Sequence, residues 1–204
     1  MLGWALLAGG ALFATSELRG DVSLGIVLKN FREEVPGRLY GAGQLSGPQL
    51  REVVERFGIR TVINLRGYDT SAPWYREEKA VARELGVAHH DVHLSARSLP
   101  RKEELLRLLD LYASEAAPVL VHCESGADRT GEAVALYRVE VLGEAPGAAL
   151  KGLSIWRRHW SWRKPEKRAF VAQYRGRRWL EHEYDPCDGS LGSHLREPST
   201  CPIR

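Results

Sequence analysis

One stretch near the middle of the chain constrains its fold more than any other. Pro118-Val119-Leu120-Val121 is an apolar run without polar interruption, as a strand buried on both faces requires. It leads through His122 into the loop Cys123-Glu124-Ser125-Gly126-Ala127-Asp128, and Arg129-Thr130-Gly131 opens a helical pattern ended by Gly143. Strand, glycine-bearing loop and helix start therefore meet at one point. Successive backbone N–H groups in such a loop can curl around a tetrahedral oxyanion, and the helix N-terminus adds donors and a favourable dipole.

The side chains at this junction suit the same purpose. The field that holds an oxyanion also stabilises a thiolate, so Cys123 is expected to ionise more readily than a free cysteine. Arg129 presents a planar fork that can hold two oxygens at once, which a lysine cannot do. Glu124, Ser125, Gly126, Ala127 and Thr130 would line the cradle. The Thr130 hydroxyl can donate to the sulfur and ease its departure, and His122 stands directly behind the cysteine.

Around this junction, strand-like runs at residues 38–40, 60–65 and 87–94 join the one at 118–122. Helical patterns separate them at 46–57, 73–85 and 98–116, and continue at 130–142, 146–160 and 165–180. Gly58, Gly86 and Gly143 mark stops. Alternating strands and helices predict an α/β fold, a mostly parallel central sheet of about four to five strands flanked by helices. The hydrophobic and charged fractions, 44% and 27%, are those of a soluble globular chain.

The ends read differently. Residues 1–16 carry no charged side chain and include Leu2, Trp4, Leu6, Leu7, Leu12 and Phe13, which is short of the roughly 20 residues of a spanning helix. The expected layout is an apolar signal or anchor segment and linker at 1–29, one catalytic domain at 30–184, and a Gly/Pro/Ser-rich tail at 185–204. The expected location is membrane-associated or exported, with the cytoplasm as the competing assignment. Cys187 and Cys201 lie in the tail, and their pairing is left open.

Between residues 151 and 179, ten Lys and Arg face the single acid Glu166. Such a surface suits an anionic partner or is simply a solvated helical face. Within it, Trp156, Trp160 and Trp162 alternate with Arg157, Arg158, Arg163 and Lys164. One reading rests this stretch on an anionic membrane surface; the simpler expectation packs one or two of the Trp rings onto the sheet. No nucleic-acid-binding module is recognised, so no nucleic acid is expected as partner.

His-Cys-x5-Arg-Thr-Gly resembles the signature of the protein-tyrosine-phosphatase superfamily, in its dual-specificity branch. Asn30-Phe31, the stretch 35–40, the stretch 58–66 and Trp74-Tyr75 look like bacterial members of that branch, so the likeness spans roughly residues 30–180. The resemblance implies a phosphoric monoester hydrolase working through a phosphocysteine at Cys123, with Arg129 holding the equatorial oxygens. It implies no metal and no cofactor, and a phosphorylated protein or small phosphoester as substrate. His89-His90-Asp91-x-His93 is the nearest approach to metal-ligand spacing and reads as a polar strand face.

The general acid is less plain. In dual-specificity relatives an Asp follows a strand upstream of the cysteine, whereas the matching loop here, residues 95–98, has no carboxylate. Asp128 is the preferred acid, because myotubularins and some bacterial lipid-active phosphatases resemble this chain in carrying Asp there; Asp69 and Asp91 are the alternatives. Glu124 and Asp128 also make the loop more acidic than the Lys-rich loops of polyphosphoinositide phosphatases. Lipid or inositol phosphates stay open as substrates, as does a phosphate-binding pseudophosphatase.

Overall fold

The computed structural model describes residues 24–163, 165–189 and 201. Five short strands form its sheet: β1 (Arg32–Val35), β2 (Leu39–Ala42), β3 (Thr61–Asn64), β4 (Ala88–Asp91) and β5 (Val119–His122), in the order β1-β2-β5-β3-β4. β1 pairs antiparallel with β2 at one edge, and every other pairing is parallel. β5 lies at the centre, with Leu120 opposite Tyr40 on one side and Val62 on the other.

Successive side chains on a strand point to opposite faces, and the apolar runs fill both. Val119, Val121, Leu39 and Ile63 join the core under one face, while Leu120, Tyr40 and Val62 join the core on the other. The second face is covered by α2 (Gly47–Phe57) and α3 (Pro73–Glu84), through Leu50, Val53, Val54 and Val81. In α2 the Ser46 N–H donates to the Gln49 side chain at 2.9 Å, and Gly58 at φ 64° closes the helix in the left-handed conformation. Ahead of β1 lies the short α1 (Leu24–Leu28), whose Ile26 is fully buried in that same core.

The first face carries α4 (Lys102–Ser114), α5 (Asp128–Glu140), α7 (Pro165–Gln173) and α8 (Arg177–His182), with α6 (Pro146–Ala149) between α5 and α7. Burial of α5 is continuous from Thr130 to Tyr137, so its placement is fixed on every side. At Gly131 an added Cβ would stand 2.8 Å from the Gly152 carbonyl oxygen, which explains a glycine inside this helix.

Three expectations need correction. β1 was not foreseen, because Arg-Glu-Glu-Val is a charged edge strand with only its last two residues buried. The helix expected over 146–160 stops after one turn. Two 3₁₀ turns follow, Leu150–Gly152 and Ile155–Arg157, and Arg158 closes the second at φ 61°. Finally, none of Trp156, Trp160 and Trp162 packs onto the sheet; all three are exposed, while Trp179 packs among Phe170, Tyr174 and Tyr184.

The apolar segment of residues 1–16 lies outside the described residues. Among those described, no helix is long and apolar enough to cross a membrane. Tyr184 is buried and donates to the Pro100 carbonyl at 2.6 Å, so the first face closes on the end of the expected domain. In the tail, Cys187 and Cys201 form a disulfide; residues 190–200 and 202–204 lie outside the described residues.

A buried ion pair ties this face together. Lys167 Nζ donates to Glu132 Oε2 and to the Ser98 carbonyl, both at 3.0 Å, with Lys167 and Glu132 fully buried. Burial pushes the Glu132 carboxyl up from 4.5 to about 7, against the pull of Lys167. A carboxyl raised on folding binds its proton more tightly in the folded chain. Its contribution to stability is therefore complete below about pH 4.5 and is lost as pH rises through about 7. Glu132→Gln is expected to remove that component, on the order of 3 kcal/mol across the window. Urea midpoints of wild type and variant between these pH values check it; parallel curves would refute the assignment.

Candidate active site

β5 ends at His122, and its last N–H bonds leave Cys123 at the base of the loop, with the Cys123 N–H donating to the Ala42 carbonyl at 3.3 Å. The loop turns at Gly126, whose φ is 68°. A Cβ there would fall 2.5 Å from the Gly43 nitrogen and 2.6 Å from the Ala42 carbonyl carbon, so only glycine fits. α5 begins two residues later, with its first turn pointing into the loop.

Cys123 is almost completely buried, and burial alone would push its thiol up. The charge of Arg129, the Thr130 hydroxyl and the N–H groups of Thr130 and Gly126 together outweigh this, so the thiol lies below its ordinary value. The Thr130 hydroxyl stands between the sulfur and the Ala42 carbonyl, 3.3 Å from the latter. Arg129 is mostly buried, and the 74% exposed Glu124 carboxylate lies 3.8 Å from its guanidinium. Between them in the loop, Ser125 is exposed and Ala127 is buried.

Beneath the cysteine lies a polar network that sequence reasoning missed. His122 Nε2 stands 3.1 Å from Glu78 Oε2 on α3; His89 Nε2 lies 2.7 Å from Glu78 Oε1, and Gln44 Nε2 donates to Glu78 Oε2 at 2.6 Å. Burial opposes the charge on Glu78, but the two histidines override it and hold the carboxyl well below the usual range. Burial likewise opposes charge on His122, yet Glu78 and the Cys123 sulfur raise it. The His122 imidazole thus holds its proton more firmly than a free one, directly behind the cysteine. Gln44 also accepts from Arg66, whose guanidinium stacks 3.6 Å from the Trp74 ring centre and lies within electrostatic reach of Cys123 and Arg129.

Asp128 occupies the first turn of α5, where its Oδ1 lies 2.8 Å from Nδ1 of the fully buried His159. The other two candidate acids are engaged elsewhere. Asp69 accepts from the Ser71 and Ala72 N–H groups and the Ser71 hydroxyl at the start of α3. Asp91 accepts from Asn64 and from the Tyr75 hydroxyl. The histidines of the 89–93 run diverge too: His89 goes to Glu78, and His90 lies 2.9 Å from Glu115.

A further residue of consequence is Asn30, buried at φ 61°, whose Nδ2 donates to the Gly126 carbonyl at 2.6 Å. Next to it the Lys29 carbonyl accepts from the Gly43 N–H. Asn30 belonged to the stretch that carried the family likeness, but nothing local in the sequence hinted at its contact across 96 positions.

Solved structures of similar fold are phosphatases. The core catalytic domain of the PP-IP phosphatase SIW14 of S. cerevisiae is 18% identical, with 72% of this chain and 85% of that one covered at a TM-score of 0.56. P. aeruginosa TpbA in complex with phosphotyrosine is 24% identical, covering 71% and 84% at 0.57. A putative phosphatase (DUF442) of Shewanella putrefaciens is 18% identical, covering 78% and 92% at 0.57. At these identities the likeness is one of fold. No curated protein matches the chain. Residues 29–157, which run from the Asn30 brace through the cysteine loop to the turn before His159, match the model of a family described as DSP-PTPase phosphatase fused to NAD+ kinase, and to that family of dual-specificity-type cysteine phosphatases the chain belongs.

Proposed function

We propose that Cys123 is the nucleophile of this phosphatase, that Asp128 is its general acid, and that its substrates are phosphotyrosine- and phosphoserine/threonine-bearing proteins. The observation that carries the reading is the convergence on one sulfur of Arg129, the Thr130 hydroxyl and the N–H groups of Thr130 and Gly126. In the first step the Cys123 thiolate attacks phosphorus in line, forming the S–P bond as the ester P–O bond breaks. Asp128 gives its proton to the leaving oxygen. The loop amides and the Arg129 fork hold the three equatorial oxygens, where negative charge is spread in the transition state. Water then attacks phosphorus, the P–S bond breaks, Asp128 takes a proton from the water, and inorganic phosphate leaves a restored thiolate.

Asp128 directly precedes Arg129 and is held there by His159, whereas Asp69 and Asp91 are held by donors outside the cysteine loop, which supports Asp128 as the acid. Acid loops that carry Glu124 and Asp128 repel densely charged substrates, which favours phosphoproteins over inositol polyphosphates.

Two assays test this. Asp128→Asn is expected to slow release from an alkyl phosphate by about 10² or more, with a much smaller loss on an aryl phosphate whose phenoxide leaves unaided. Equal losses on both esters would remove Asp128 from the acid's role. Phosphate release from a panel of phosphopeptides and inositol polyphosphates then separates the substrate classes. Faster release from the polyphosphates would replace the protein reading with the inositol one.

A further inference from the structure

Exposed large apolar side chains are not scattered over this molecule. Of those among the described residues, Tyr68 and Leu142 stand apart. Val27, Leu28, Ile155, Trp156, Trp160 and Trp162 lie in two segments that are bonded to each other. Arg158 donates to the Leu28 carbonyl at 3.0 Å, and Arg32 donates to the Trp156 carbonyl at 3.1 Å, so α1 and the turn at Ile155–Arg157 form one surface. The Trp160 and Trp162 rings meet edge to face at 5.1 Å, and Trp156 is 85% exposed. A connected apolar surface of this kind marks an interaction site.

Its chemistry selects the occupant. From residue 145 to 165 the chain has no acidic residue but includes Lys151, Arg157, Arg158, Arg163 and Lys164. Arg157 pairs with Glu34, but Lys151, Arg158 and Arg163 are exposed. Indole rings alongside exposed cations match the headgroup depth of a bilayer with anionic lipid, the rings among the acyl ends and the cations on phosphates. The stretch before α1 points the same way: residues 1–16 are uncharged and apolar, and the chain enters the described fold at α1, on this surface. A second copy of the chain fits less well, since a two-fold contact would set the cations against themselves. A nucleic acid would leave Val27, Leu28 and Ile155 against a hydrated phosphate backbone.

We infer that the surface formed by α1 and residues 155–162 is a docking face for an anionic lipid bilayer. The face adjoins the catalytic loop, because Asn30, which holds the Gly126 carbonyl, also donates to the Arg157 carbonyl at 3.4 Å. Docking therefore sets the mouth of the cradle close to the lipid surface. The inference concerns binding alone and is measured without turnover, so it stands or falls apart from the substrate reading.

The test is co-sedimentation of the full chain with vesicles of phosphatidylcholine alone, and with vesicles in which phosphatidylglycerol replaces about a third of it. Wild type is expected to partition about tenfold more strongly onto the anionic vesicles, with salt weakening it. Trp156→Ala/Trp162→Ala, which retains residues 1–16, is expected to lose about tenfold, and Lys151→Gln/Arg163→Gln to lose most of the salt dependence. Unchanged circular dichroism and thermal midpoint show that both variants are folded. Equal partition of wild type and the Trp variant would overturn the inference. So would equal binding to both vesicle types, or lipid-free light scattering that finds a dimer which the Trp substitutions dissolve.

Discussion

Cys123→Ser is expected to lower kcat/KM on any phosphoester by a factor on the order of 10⁵ while the fold persists. Serine is close to cysteine in size, so the buried position between Ala42 and Thr130 stays filled, and the ring of donors around it remains. What disappears is the ionised nucleophile. A hydroxyl titrates far above any working pH, and the field that lowers a thiol cannot lower it enough. Phosphate binding, read by calorimetry, should survive in the variant because the loop amides and Arg129 are untouched. Turnover within tenfold of wild type would exclude a phosphocysteine and leave the loop as a site for some other nucleophile.

Arg129→Lys comes next, with an expected loss on the order of 10² to 10³ in kcat. Lysine keeps a positive charge near Cys123, so the rate of thiol alkylation by iodoacetamide should still rise at a pH below that of an ordinary thiol. It does not keep the fork. Two parallel N–H donors on neighbouring phosphoryl oxygens become one mobile ammonium, and the stabilisation that is strongest in the transition state is lost. The two readouts therefore part: the alkylation profile moves little while kcat falls. If both collapse together, Arg129 acts mainly by ionising the thiol, and the transition-state role assigned to it fails. In Arg129→Ala both should change, the alkylation profile moving up because the largest lowering influence on Cys123 is gone.

What was legible in the sequence was whatever is written locally. The apolar run into Cys123, the glycine at 126 and the Arg-Thr-Gly exit describe strand, turn and helix start within fourteen consecutive residues, 118–131. The structure supplies the reason: Gly126 sits where a Cβ would strike the backbone of Ala42 and Gly43. Parallel strands with glycine-stopped helices were equally readable from period and punctuation. Contacts between distant residues were not. Glu78 looks like any surface acid on an amphipathic helix, yet it is buried against His122 and His89. His159 follows Arg157 and Arg158 in the basic stretch, and only the turn at Arg158 brings it inward to Asp128. The expected helix over 146–160 ends at a long-range contact of the same kind: Gly152 packs against Gly131, and the chain leaves helical geometry at Leu153.

The Asn30 brace changes what counts as the catalytic unit. The signature sequence starts at His122, yet its loop is held by an amide contributed nearly a hundred positions earlier, at Asn30, while the neighbouring Lys29 carbonyl holds Gly43, against which Gly126 packs. Trimming the chain to begin at Phe31 would keep every residue of the signature and leave its cradle unfinished. For anyone choosing where to cut this protein, the boundary of the enzyme is drawn by a hydrogen bond rather than by the motif.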